Sequence, residues 1–365
     1  MKRKRIKLKW LLNHNKHLEK LKVRFRNNLK RKRRLLLGVN KAERKRRVLM
    51  GNFKDYTKVK VPNTFSLIKN TAETIKFIEL LEDCFKQRKK VFVKLSGVSY
   101  IGEGALSVLL SSLINFRTNN IDFNGDFPKN QIVNKQLHDS GFFAELYNTK
   151  KLSPSDTYNL TNRTIFTHAS KIVDAKLSSV LISKISTKLW GEERRCLGVQ
   201  RAYIELMQNT NNHASIGAQG EHHWWTTVSY DSSRNVACFA FLDYGVGIIK
   251  SITTDKTSKL NRIINLFKNL FNSKNDSELL ELLLKGEIHN AGKSSSSTKQ
   301  YYRGKGLPGI YEACKNNYLS NLVVISNKAM ADVSNEKYVF LDTNFSGTFV
   351  YWELSIHNQN LPLCN

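Results

Sequence analysis

Apolar and polar positions change period several times along this chain, and each change marks an element. "KVKVP" alternates and predicts a short strand near residue 57. "TFSLIKNTAETIKFIELLEDCFKQRKK" places apolar residues three and four apart and predicts an amphipathic helix, and "VFVKLSGVS" reads as a second strand. A second helix, "GALSVLLSSLINFRTNN", a strand, "IDFNG", and a third helix, "NQIVNKQLHDSGFF", complete the alternation, which predicts a small α/β layer domain over 56–150. Residues 151–168 are polar and turn-rich and read as a linker.

Beyond the linker the order of elements differs. A long helix over roughly 170–190 is followed by another from about 192 that contains "ELMQNTNNH". Strands "WWTTVSY" and "VACFAFLDYG" come next, then a Lys/Ser-rich insertion from about 250 to 303, a glycine turn and the helix "PGIYEACKNN". "NLVVIS", "KYVFLD" and "GTFVYWEL" read as closing strands. Helices and hairpin-connected strands are segregated, so 169–356 is expected to be an α/β sandwich with a tail at 357–365, and the whole chain α+β.

Charge changes the picture only at the start. Residues 1–50 hold 21 Lys and Arg against Glu19 and Glu43, so they carry +19 of the net +29 and leave +10 for the other 315 residues. Leu, Val and Trp10 are scattered among those charges, which predicts a basic extension over 1–55 that becomes helical on a partner. Such a segment suits nucleic acid, a ribosome or an acidic protein, and equally a solvated tail.

The five cysteines, Cys84, Cys196, Cys238, Cys314 and Cys364, form no CxxC pair and no cluster with His at metal spacing. Neither a zinc site nor a disulfide framework is expected. The basic start has no apolar stretch of signal-peptide type behind it, and no apolar run approaches about 18 residues. A cytoplasmic protein without a membrane partner is the expectation.

Four pieces of the second half carry chemistry. On the helix containing "ELMQNTNNH", Glu205 and Asn209 are four apart and project from one face, with His213 a turn further on. An acid there can orient water, and an amide oxygen can hold Mg²⁺, which keeps phosphate oxygens and waters as its other ligands. In "FLDYGVGI", Asp243 ends an apolar strand and Gly245 and Gly247 follow, a carboxylate at a pocket base beside backbone that can approach a flat ligand. "RGKGLPGI" places Gly304, Gly306 and Gly309 at a helix start, where backbone N–H groups suit a di- or triphosphate. Thr348, after Gly347, brings a hydroxyl toward Asp243. No strand precedes the glycine run, which argues against a dinucleotide fold, and no Gly-Lys-Ser/Thr ending indicates a P-loop.

In this order and spacing the four pieces resemble the GHKL (Bergerat-fold) ATP-binding superfamily over about residues 165–355. The resemblance implies ATP and Mg²⁺ as cofactors, with Glu205 activating water or accepting a proton and Asn209 holding the metal. It places Asn212 and His213 near the phosphates, Asp243 on adenine with Gly245 and Gly247 beside it, and Thr348 at the same base. Gly304, Gly306 and Gly309 then close the phosphate end, with Lys305, or else Lys293 or Arg303, reaching the γ-phosphate. The segment between the second and third motifs corresponds to the family's mobile lid, here containing "DSELLELLLKGEIHNAGKSSSST".

"VFVKLSGVSYIGEGALSVLLSSL" at 91–113 resembles STAS domains, the fold of anti-sigma-factor antagonists. Where phosphorylated antagonists carry a serine, this chain has Glu103 and Gly104, with Ser99 and Ser107 out of register. Docking rather than phospho-switching is therefore the expected role. The fusion implies an ATP-binding regulatory or sensor protein acting on a protein partner, with two alternatives: an anti-sigma-type serine/threonine kinase, or a nucleic-acid-associated ATPase module. His168 lacks an adjacent acid and surrounding heptads, which argues against a histidine kinase.

Overall fold

A computed structural model describes residues 13–29, 53–147, 165–170, 173–213, 223–254, 275–287, 306–358 and 361–362. The chain divides into two units, residues 1–56 and 57–365. In the first, residues 13–29 form one helix, α1, exposed along its whole length. Leu18, Leu21, Phe25 and Leu29 recur at three- and four-residue spacing and share one side, between Lys and Arg positions.

The second unit begins with parallel strands. β1 (Thr57–Lys60), β3 (Val91–Lys94) and β5 (Phe123–Gly125) form a sheet in the order β1-β3-β5. β2 (Thr64–Phe65) and β4 (Tyr100–Ile101) make a separate parallel pair. The connecting helices are α2 (Thr71–Lys86), α3 (Glu103–Thr118), α4 (Gln131–Asp139) and α5 (Phe142–Tyr147). The first predicted helix thus begins seven residues later than its apolar spacing suggests. Ser66 Oγ accepts from the backbone N–H of Ile68 and Lys69, holding a turn between β2 and α2. The third predicted helix is two, broken at Gly141 with φ +82°.

The remainder is a five-stranded antiparallel sheet in the order β10-β11-β9-β8-β6. Its strands are β6 (Ile165–Ser170), β8 (His223–Asp231), β9 (Val236–Asp243), β10 (Ser320–Asp332) and β11 (Lys337–Ser355). A small pair, β7 (Arg194–Arg195) with β12 (Leu361–Pro362), lies outside it. The helices are α6 (Ala175–Trp190), α7 (Leu197–His213), α8 (Ile248–Thr254), α9 (Asp276–Lys285) and α10 (Gly306–Lys315).

Both faces of this sheet are buried. Along β9, Ala237, Phe239 and Phe241 pack with α6, α7, α9 and α10, whereas Cys238, Ala240 and Leu242 join the core of α2, α3 and the parallel sheet. β11 repeats the division, with Val350 and Trp352 on one side and Phe349 and Tyr351 on the other. That is why these strands read as continuous apolar runs. The α/β layer therefore covers the second face of the sheet, and residues 57–365 are one layered body.

Three expectations need correction. The stretch read as a linker over 151–168 ends inside β6, which pairs Ile165 to Ser170 with Val228 to His223 as the sheet's edge. "KYVFLD" and "GTFVYWEL" are parts of one strand, β11, since register shifts in β10–β11 absorb the glycine between them. The apolar helix assigned to a mobile lid is α9, whose Leu280, Leu283 and Leu284 are fully buried. Its Asn275 cap and Gly286 stop close it as a packed core helix.

Candidate functional site

The site is built where β9 ends. Asp243 lies in the sheet between Trp224 of β8 and Thr348 of β11, and the pleat turns Asp243 and Thr348 toward the face that carries α7. Gly347, at φ +111°, lets the chain pass; a side chain there would overlap the Asp243 carbonyl. The Asp243 carboxyl accepts from the Gly245 N–H at 2.6 Å and meets the hydroxyls of Thr348 and Thr210. Burial dominates these bonds and pushes its pKa up to about 6.

The turn after Asp243 is clamped from β10. Gly247 has φ +85° and leaves no room for a side chain beside Asn327. Asn327 Oδ1 accepts from the N–H of Ile249 and Lys250 at 3.1 and 3.2 Å, and its Nδ2 donates to Val246 O at 2.9 Å. Ser326 Oγ accepts from the Ile248 N–H and donates to Gly347 O, each at 2.8 Å, within 3.5 Å of Thr348 Oγ1. Ser326 and Asn327 thus tie the Asp243 turn to the Gly347–Thr348 segment.

From the other side comes α7. Thr210, buried and donating to Leu206 O at 3.0 Å, follows Asn209 directly, so the helix that bonds Asp243 also carries Asn209 and Glu205. α10 packs across α7 at its glycines. A methyl group on Gly306 would stand 2.8 Å from Asn209 Nδ2, and one on Gly309 would stand 3.2 Å from the Arg201 guanidinium. Arg201 lies 3.9 Å from Glu205 Oε1, which is partly exposed.

The fold therefore brings Glu205, Asn209, Thr210, Asp243, Gly245, Gly306, Gly309 and Thr348 to one end of the sheet. Asn212 and His213 lie on the last turn of α7, where only the backbone is described. Gly304, Lys305, Arg303 and Lys293 lie outside the described residues. Among the described residues no group of His, Cys, Asp and Glu forms a metal cluster. The oxygen donors Glu205 and Asn209 fit a hydrated Mg²⁺, which takes few protein ligands.

Sequence reasoning missed Thr210, Tyr244, Ser326 and Asn327. Thr210 was visible inside "ELMQNTNNH" but was outweighed by the amides, and "SN" after "NLVVI" looked like an ordinary strand end. Tyr244 points the opposite way from Asp243. Its hydroxyl donates to Val108 O of α3 at 3.2 Å and makes a short bond with Ser111.

Further contacts join the same region to the α/β layer. Ser346 Oγ donates to Glu82 Oε2 at 3.0 Å, the Asn344 N–H donates to Glu79 Oε1 at 2.8 Å, and Phe349 closes over Gly104. Burial raises the Glu82 pKa. Ser107 is buried and donates to Thr227 at 3.1 Å, while Ser99 donates to Asn63 O. At the start of α3, then, Gly104 is walled off by an aromatic ring.

A separate cavity of about 570 Å³ opens between the start of α3 and the opposite ends of β8–β11. Glu353 is its buried charge and accepts from Arg234, Tyr351 and Asn321 at 3.0, 2.6 and 2.7 Å. Gly104 lines it, but none of the candidate nucleotide-site residues does. The Glu353 carboxylate there is thus satisfied by its own neighbours. No protein-family model matches the chain, and no curated protein matches it either.

Proposed function

We propose that this chain is an ATP-binding regulatory protein of GHKL type, acting in the cytoplasm, in which Mg-ATP occupancy controls how a STAS-like layer or a partner protein is engaged. The observation that carries the reading is the meeting of Asp243 and Thr348, from the sheet, with Asn209, Glu205 and the Gly306 start of α10. Asp243 accepts from the adenine amino group, with Thr348 and Thr210 fixing its carboxylate. Asn209 supplies an amide oxygen to Mg²⁺, and the α10 start offers backbone N–H groups to phosphate. When bound, Mg²⁺ neutralises charge on the phosphates. Glu205 orients water or accepts a proton, with the Arg201 guanidinium beside it at 3.9 Å.

The first experiment is incubation of the full chain with Mg²⁺ and γ-labelled ATP, following free phosphate and protein-bound label together. Free phosphate lost in Glu205→Ala supports a slow ATPase switch, and protein-bound label supports the serine/threonine kinase alternative. Asn209→Ala is expected to abolish Mg²⁺-dependent binding, and nucleotide binding unchanged in that variant removes the assignment.

A second reading concerns α1. It is exposed and carries Lys16, Lys20, Lys22, Arg24 and Arg26 against Glu19, which favours a polyanion such as nucleic acid or a ribosome as its partner. Deleting residues 1–52 is expected to remove RNA binding at about 0.15 M salt while leaving ATP binding intact. RNA affinity unchanged by that deletion eliminates this reading.

A further inference from the structure

The alternation of β9 and β11 has an unusual result at the candidate site. Asp243 and Thr348 face the helices, and their neighbours Tyr244 and Phe349 face the α/β layer, so one residue step crosses the sheet. Each crossing is anchored. Tyr244 reaches Ser111 and Val108 in the middle of α3, and Phe349 covers Gly104 at its start. Ser346, two residues before Thr348, is held by Glu82 of α2. Tyr244 is partly buried, and desolvation of its hydroxyl against α3 holds it protonated well above the usual phenol range, so it remains a donor at any physiological pH.

We infer that Tyr244 is a positioning residue for the nucleotide site, and that through it occupancy of the site is read by α3 of the STAS-like layer. The inference rests on the adenine-nucleotide reading and adds a route to it. The short Asp243–Tyr244 segment is fixed in front by the Gly245, Thr348 and Thr210 bonds to the carboxyl. It is fixed behind by the Tyr244 hydroxyl on α3. A ligand that engages the Asp243 carboxylate restrains that segment further, and the restraint passes to α3 without any separation of the two layers. A loose Tyr244 leaves Asp243 to be ordered by the ligand itself, which weakens binding.

The test uses the full chain, with the non-hydrolysable Mg-AMPPNP as ligand. Binding is measured by calorimetry and backbone exchange by hydrogen–deuterium exchange. In the wild type, ligand is expected to slow exchange in residues 103–118 as well as in α7. Tyr244→Phe keeps the ring but loses the hydroxyl and should weaken binding about three- to tenfold, the scale of one neutral hydrogen bond. It should also abolish the slowing in 103–118. Ser111→Ala should weaken binding less, and the double variant should bind no more weakly than Tyr244→Phe alone, because the two groups share one bond. Additive losses, or wild-type binding without any change in 103–118, overturn the inference while leaving the nucleotide reading intact. No binding by the wild type overturns both.

Discussion

Asp243 is held where a carboxylate is uncomfortable, and its pH behaviour follows from that. Its pKa is pushed up to about 6, so between pH 6 and the ordinary aspartate range near 4 the folded chain keeps a proton that the unfolded chain has lost. The contribution of this group to stability therefore rises as pH falls through 6 and levels off below about 4. Asp243→Asn should flatten this component when denaturant midpoints are compared across pH 4 to 7. Nucleotide binding should move oppositely, weakening below about pH 6 as the acceptor is protonated. Gly347 permits a second test. Its φ of +111° and contact with the Asp243 carbonyl mean that Gly347→Ala should cost about 1–3 kcal/mol or more in chemical denaturation. Glu205 and Asn209 were legible because they lie one helical turn apart, and Asp243 and Thr348 because each stands beside its own glycines in the chain. Ser326 and Asn327 were not, because they meet the Asp243 turn only across the sheet.

Elements were legible where one face is polar and ambiguous where none is. The three-four spacing of α2 and the alternation of "KVKVP" gave clear signals. α9 had the same amphipathic spacing, but its position between two motifs suggested a mobile segment. In the fold its leucines pack against β10 and α10, and the helix belongs to the core. Leu283→Ala should accordingly cost about 2–5 kcal/mol of stability, measured by urea unfolding, whereas a solvated lid helix would lose far less. The division of the closing strands was misread because Gly347 looks like a turn. It is instead an irregularity inside β11 that admits the Asp243 carbonyl.

At the scale of the molecule, the shared core between the α/β layer and the five-stranded sheet makes a prediction about cooperativity. Trp225 lies on the face toward the layer, and Trp224 and Trp352 lie on the helix face. Unfolding followed by tryptophan fluorescence and by far-UV circular dichroism should give one coincident transition for residues 57–365, and removing 57–147 should leave a fragment that aggregates. Two separated transitions would instead mean that the layers fold independently. The sequence by itself determined the elements with one exposed face, the basic extension and the local pairs of polar residues, because helix and strand periods act over a few positions. It also carried a mark of double burial in "VACFAFLD", an apolar run too continuous for a one-sided sheet. Only the tertiary structure decided what covers each face, that Thr210 and the β10 residues join the site, and that Tyr244 faces α3. Those contacts link positions far apart in the chain, and which distant surfaces meet is set by the packing of whole layers.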